Sequence, residues 1–188
     1  LEWAVGVPGS VGGAIRMNAG GHGSNTAATL VRYRYVDLLG AAAHESDADR
    51  LQFGYRYAAL SDTDVVTEGT YRLEPGDPDE GASVIAEIVR WRRANQPGGS
   101  NAGSVFTNPE GDAAGRLIEA CGLKGHRVGS AEVSERHANF IQADTGGSAE
   151  DVRRLIEFVR ATVAEATGVV LETEVRMVGF TDQEQAAR

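Results

Sequence analysis

The chain has 188 residues, 41% hydrophobic and 24% charged, the balance of an ordinary globular protein with enough apolar side chains for a sizeable core. Its 27 acidic against 18 basic residues give a net charge of −9, which argues against nucleic acid or an anionic membrane as partner, since either needs a basic face. A single cysteine, Cys121, rules out an internal disulfide framework, and no apolar run approaches the ~18 residues of a membrane span.

The first residues, Leu1 to Val5, lack both a Met start and the basic and apolar stretches of a secretion signal. A cytoplasmic location and a missing N-terminal part are expected. Glycine is abundant, 24 of 188 residues, and much of it falls between Gly6 and Gly23. The segment Gly6-Val7-Pro8-Gly9-Ser10-Val11-Gly12-Gly13-Ala14 has too few side chains for a core, but its backbone N–H groups can converge on an anion. It matches neither the dinucleotide fingerprint nor the Walker loop, and a glycine-rich turn without ligand is the plain alternative.

From Leu30 to Leu38, Val31, Tyr33 and Tyr35 alternate with Arg32, Arg34 and Val36, the period of a half-exposed strand, and Val65 to Leu73 reads as a second. Glu74 to Pro78 breaks the pattern, and Val84, Ile85, Ile88 and Val89 then recur at helical spacing. Gln96-Pro97-Gly98-Gly99-Ser100 has linker composition, so domains are expected at 1–96, 97–170 and 171–188, the last a C-terminal strand and tail. Beyond the linker, Ala114, Leu117, Ile118 and Cys121 mark a short helix stopped by Gly122, and a strand-like region runs from Gly129 to Ala143. Ser148 with Asp151 reads as a capping-box variant opening a helix to Gly168. Val169 to Val178 reads as a strand with Glu172, Glu174 and Arg176 on one face, and the tail Thr181 to Arg188 is expected to be frayed. His44 is read as solvated, His126 as a surface group and His137 as part of a strand, and no metal-ligand spacing occurs.

Taken in order, Gly6 to Ala14, Arg16-Met17-Asn18-Ala19-Gly20, Phe53-Gly54-Tyr55-Arg56, Gly103-Ser104-Val105-Phe106-Thr107-Asn108-Pro109, Ala114-Gly115-Arg116-Leu117-Ile118, His137-Ala138-Asn139-Phe140-Ile141 and Leu171-Glu172-Thr173-Glu174-Val175-Arg176 resemble the UDP-N-acetylenolpyruvoylglucosamine reductase family. The resemblance implies an α+β chain: a partial FAD-binding domain of the vanillyl-alcohol-oxidase type, its N-terminal lobe absent, followed by a smaller α+β substrate-binding domain. It implies an FAD-dependent, NADPH-oxidising enzyme that reduces UDP-N-acetylglucosamine enolpyruvate to UDP-N-acetylmuramate, expected as a monomer. A UDP-sugar-binding module without catalysis is the alternative.

The same resemblance assigns roles. An enol ether accepts hydride only if its carboxylate withdraws charge, so Arg56 is implied as the brace for that carboxylate, Ser104 as the proton donor and Glu174 as their acidic partner. Blind to the family, Arg56 reads as a surface residue, Glu174 as the partner of Arg176, and Ser104 as a turn cap. Glu172 stays open as an alternative to Glu174. Gly6, Val7, Pro8, Gly9, Ser10, Gly12, Gly13, Ala14, Asn18 and Gly20 are implied at the flavin. His22, Tyr55, Arg93 and Asn108 are candidates for the substrate, with Arg92 an alternate for Arg93. His22 stands where many members carry tyrosine.

Overall fold

We describe residues 1–180 from a computed structural model of the chain; the polar tail from Thr181, expected to be frayed, lies outside the described residues. The chain divides into two compact units, Leu1–Arg92 and Arg93–Arg188.

In the first unit the glycine-rich segment leads into α1 (Val11–Arg16), followed by a small hairpin of β1 (Gly20–Gly21) and β2 (Ser24–Asn25). Three antiparallel strands then form a sheet in the order β4-β3-β5, from β3 (Leu30–Asp37), β4 (Ala42–Asp47) and β5 (Asp64–Tyr71). The alternation read in β3 is real, with Leu30 and Tyr33 buried and Arg32 and Arg34 exposed. Strand β4 left no sequence signal, because Ala-Ala-His-Glu-Ser-Asp has few β-formers and is mostly exposed. His44 lies on it, exposed and stacked on Tyr35 at 5.0 Å. Ile15, Leu30, Tyr33, Leu51 and Ala58 make the core of this unit.

The helix expected around Val84 is α2 (Pro78–Asn95). It begins earlier than the apolar repeat suggests, since Pro78 takes the first helical position, where a missing N–H costs nothing, and the Asp77 carboxylate accepts from the Asp79 N–H at 2.8 Å. Of the four apolar positions read there, only Ile88 is buried.

The second unit holds a four-stranded antiparallel sheet in the order β6-β9-β8-β7, built from β6 (Ser100–Ser104), β7 (Arg127–Val128), β8 (Ala131–Val133) and β9 (Phe140–Ala143). The single strand-like region read from Gly129 to Ala143 is thus two strands and a turn, with His137 in the turn rather than on a strand. Helix α3 (Ala114–Ala120) stops at Gly122, whose φ of +69° is left-handed, as glycine allows. Helix α4 (Ala149–Thr167) buries Leu155, Ile156, Val159 and Val163 against a core that includes Phe106, Ile118, Val133 and Leu171. Cys121 packs at the edge of that core.

Two expectations are corrected here. Ser148 caps α4 by accepting from the Glu150 N–H at 3.2 Å, but Asp151 does not reach back to close a capping box. Its carboxylate accepts instead from the N–H and hydroxyl of Ser130, at 2.9 and 2.8 Å, and so ties α4 to the β7–β8 turn. The C-terminal segment read as a strand from Val169 to Val178 is extended chain with one isolated bridge, Thr173 to Phe106. It has no continuous partner, so alternation in the sequence was not enough to make a ladder. Among the described residues no helix is long and apolar enough to cross a membrane.

Candidate functional site

Many sequence-predicted residues line one of three hollows, two in the first unit and one in the second, whereas Gly6, Gly12, His22, Arg93 and Glu174 line none of the three. At the glycine-rich segment, Trp3, Val7, Pro8, Gly9, Ser10 and Ala14 line a hollow of about 380 Å³. Ser10 caps α1, its hydroxyl accepting from the Gly13 N–H at 3.0 Å. The N–H of Val7 goes to Ala4 and that of Ala14 to Ser10, while Pro8 has none, so the donors left for an anion are those of Gly6 and of the Gly9–Gly12 stretch. A Cβ on Gly12 would fall 2.6 Å from the Val66 carbonyl oxygen, so only glycine lets α1 lie this close to β5. Two further groups suit an anionic, planar guest. The indole Nε1 of Trp3 is a buried donor without an acceptor among the described residues, and the Arg92 guanidinium lies over the loop, its Nε 3.0 Å from where a Gly6 Cβ would sit. Arg92, weighed for the substrate, thus packs on the glycine loop.

A second hollow, about 650 Å³, is lined by Asn18, Gly20, Asn25, Phe53, Tyr55 and Arg56 among others. Arg56 belongs to a tight turn closed by reciprocal Gly54–Tyr57 backbone bonds and holds a left-handed φ of +54°. Its Nη2 donates to Gly20 O at 3.3 Å, and its guanidinium lies 5.0 Å from the Tyr55 ring centre. Such a backbone in a non-glycine residue costs about 1 kcal/mol or more. Asn18 is 6% exposed, and its amide accepts from the Ala27 N–H at 3.0 Å and donates to Gly54 O at 2.9 Å. It therefore braces the Arg56 turn. His22, at the hairpin tip with φ +49°, sets its ring edge-on to Trp91 at 5.2 Å.

In the second unit Ser104, Asn108, Gly115, Arg116, Arg136, His137 and Asn139 line a hollow of about 400 Å³. The β6–β9 register breaks between Asn101 and Ser104, where Gly103 takes φ +81°, and a bulge of this kind re-aims the side chain that follows it. Ser104 is that residue. Glu174 belongs to the same neighbourhood, because its N–H donates to Val105 O at 2.8 Å, one residue on from Ser104. Glu172 pairs instead with Thr107, accepting from its N–H at 2.9 Å. Asn108 accepts from the Ala114 N–H at 3.1 Å and so anchors the start of α3. Arg93 is exposed, and its carbonyl accepts from Arg136 Nη1 at 2.9 Å.

Arg116, Arg136 and His137 received no role from sequence. Arg116 is paired with Asp112, and that guanidinium holds the Asp112 carboxyl down at about 2. The pattern Ala-Gly-Arg was the available signal, but arginine one turn into a helix more often reads as a surface pair. His137 is half-buried, and burial pushes its pKa below the ordinary value of 6.5. Its Nδ1 accepts the Asn139 N–H at 3.2 Å, which requires a free lone pair there. The sign follows: the folded chain holds this imidazole neutral, the unfolded chain protonates near 6.5, so stability is full above that pH and falls as pH drops below it, levelling off under the folded pKa. Thermal midpoints from pH 8 to 5 should show that decline, and H137Q should flatten its upper part; an unchanged slope would remove His137 as the cause.

Comparison with known proteins adds a family likeness to this geometry. Residues 95–178 match the profile of the UDP-N-acetylenolpyruvoylglucosamine reductase C-terminal domain. A protein named UDP-N-acetylenolpyruvoylglucosamine reductase from Parasynechococcus marenigrum (strain WH8102) is 45% identical over 185 residues, covering 97% of this chain and 62% of that protein. One of the same name from Thiobacillus denitrificans (strain ATCC 25259 / T1) is 48% identical over 181 residues, covering 95% and 56%. The crystal structure of UDP-N-acetylenolpyruvylglucosamine reductase from Thermus caldophilus superposes with a TM-score of 0.84 at 36% identity, covering 94% of this chain and 63% of that one. The chain thus spans about three fifths of the length of the curated relatives it matches.

Proposed function

This chain belongs to the UDP-N-acetylenolpyruvoylglucosamine reductase family, and from that premise we propose that it is part of an enzyme reducing UDP-N-acetylglucosamine enolpyruvate to UDP-N-acetylmuramate in peptidoglycan precursor synthesis. The observation that carries the reading is the strand end where Ser104 follows a glycine bulge with the Glu174 backbone hydrogen-bonded beside it. The reaction adds a hydride to one carbon of the enolpyruvyl double bond and a proton to its neighbour. FAD, when bound, supplies the hydride it has taken from NADPH.

The chain's own residues then have definable tasks. Arg56 braces the enolpyruvyl carboxylate with a planar cationic fork, drawing electron density off the carbon about to become basic. Ser104 Oγ gives its proton to that carbon. A serine hydroxyl is a weak acid, so it works only against a strongly basic centre and only when held in place. Glu174, whose backbone adjoins Val105, is a better partner for this step than Glu172, which adjoins Thr107. Tyr55 and His22 in the first unit, and Asn108 and Arg93 in the second, are proposed at the sugar nucleotide.

For FAD the residues present fit. The Gly9–Gly12 stretch, the Trp3 Nε1 and the Arg92 guanidinium offer donors and positive charge to a pyrophosphate, which explains how an acidic chain could hold one. Asn18 is proposed there as a brace, its amide being engaged with Gly54 and Ala27. Cytoplasmic action follows from the proposed substrates. The test is optical: the complete protein carrying this chain should purify yellow and, with oxygen excluded, bleach with NADPH and recover its colour only with the enolpyruvyl sugar nucleotide. A colourless protein that still binds the UDP-sugar would instead mark a binding module.

A further inference from the structure

The His137-Ala138-Asn139 and Ala114-Gly115-Arg116 motifs have no task in the chemistry above, yet they pack against each other: a Cβ on Gly115 would sit 3.3 Å from His137 Cε1 and 3.6 Å from Asn139 Cβ. At their junction lies Asn139, 4% exposed and polar. Its Oδ1 accepts from the Phe106 N–H at 3.0 Å and its Nδ2 donates to Phe106 O at 2.8 Å. The amide thus grips both main-chain polar groups of one residue. The Asn139 carbonyl also accepts from the Val105 N–H at 2.9 Å.

The reason for this grip is visible in the ladder. Regular pairing of β6 with β9 ends at Ser104 and Phe140, because the chain preceding Phe140 turns away, with the Phe140 N–H donating to His137 O at 3.0 Å. Phe106 is buried, so its N–H and C=O would be costly to leave unpaired, and the Asn139 amide stands in for the missing rung. On the other side of the same three residues, Val105 O accepts from Glu174 N–H and Thr107 N–H donates to Glu172 O. One side chain therefore fixes the rail to which both Ser104 and Glu174 are attached.

We infer that Asn139 is a positioning residue for proton transfer, holding residues 105–107 so that Ser104 and Glu174 keep their mutual placement. The inference rests on the reading of Ser104 as proton donor, and its test has one arm that does not. In amide hydrogen exchange on this chain, N139A should raise the exchange of Phe106 and Glu174 by about tenfold or more, with β8 and α4 unchanged. In the complete flavin-loaded protein, reduction by NADPH should stay at the wild-type rate while reoxidation by the enolpyruvyl substrate slows by ~10²-fold, the cost of a displacement on the order of 1 Å. N139D, which keeps the acceptor and loses the donor, should fall between, and it serves both arms if N139A fails to fold. Wild-type reoxidation in the variants overturns the inference, as does an equal loss in both half-reactions, which marks a residue needed only for folding. A wild-type protein that never reoxidises with this substrate defeats the functional reading and leaves the exchange result standing.

Discussion

Alanine at Ser104 should leave flavin reduction by NADPH at its normal rate and slow reoxidation by the enolpyruvyl substrate by roughly three to four orders of magnitude, the upper part of what a positioned acid contributes. Among the described residues the Ser104 hydroxyl makes no hydrogen bond that the fold depends on: Ser104 pairs with Phe140 through its main chain and is only partly buried. Melting of the variant should therefore match wild type. Stopped-flow absorbance of the oxidised flavin separates the two half-reactions directly. A proportional loss in both would remove the proton-donor assignment, since the reductive half involves no protonation of the sugar nucleotide.

The second large effect is at Arg56. Lysine there keeps the charge but loses the fork, and kcat/KM for the enolpyruvyl substrate should fall ~10²–10³-fold. Glycine makes the argument sharper. Because Arg56 sits at φ +54°, R56G relieves backbone strain at the same time as it deletes the guanidinium. The variant should melt at or near the wild-type temperature and have almost no reoxidation activity. If R56G keeps substantial activity, or if it unfolds, Arg56 is a structural residue of its turn and the carboxylate brace must be sought elsewhere. Of the two, only Arg56 holds a costly backbone conformation, and the R56G outcome decides between function and stability as its cause.

Much of this protein was legible from its residues. Strand β3, the stop of α3 at Gly122, the span of α4 and the buried faces of all three follow from spacing and from turn chemistry that act within a few residues. Strand β4 escaped because it is held by its neighbour β3 rather than by its own side chains. The C-terminal segment was misread for the opposite reason: it alternates like a strand but finds only one bridge, so a local pattern promised a partner that the fold supplies just once. At Asp151, a short-range motif lost to a longer-range one, because Ser130 offers two donors where the helix start offered one.

The sequence by itself determined which residues are proposed to brace a carboxylate, give a proton and cradle a phosphate, and its ordered motifs were enough to name a family. Only the tertiary structure decided how they are held: that Glu174 adjoins Val105 across seventy residues of chain, that Asn139 grips Phe106, and that Asn18 braces the turn of Arg56. The division has a physical cause. Helical period, capping and left-handed turns are set by neighbours along the chain, whereas a buried amide chooses its partner by which unpaired main-chain groups the packing leaves beside it.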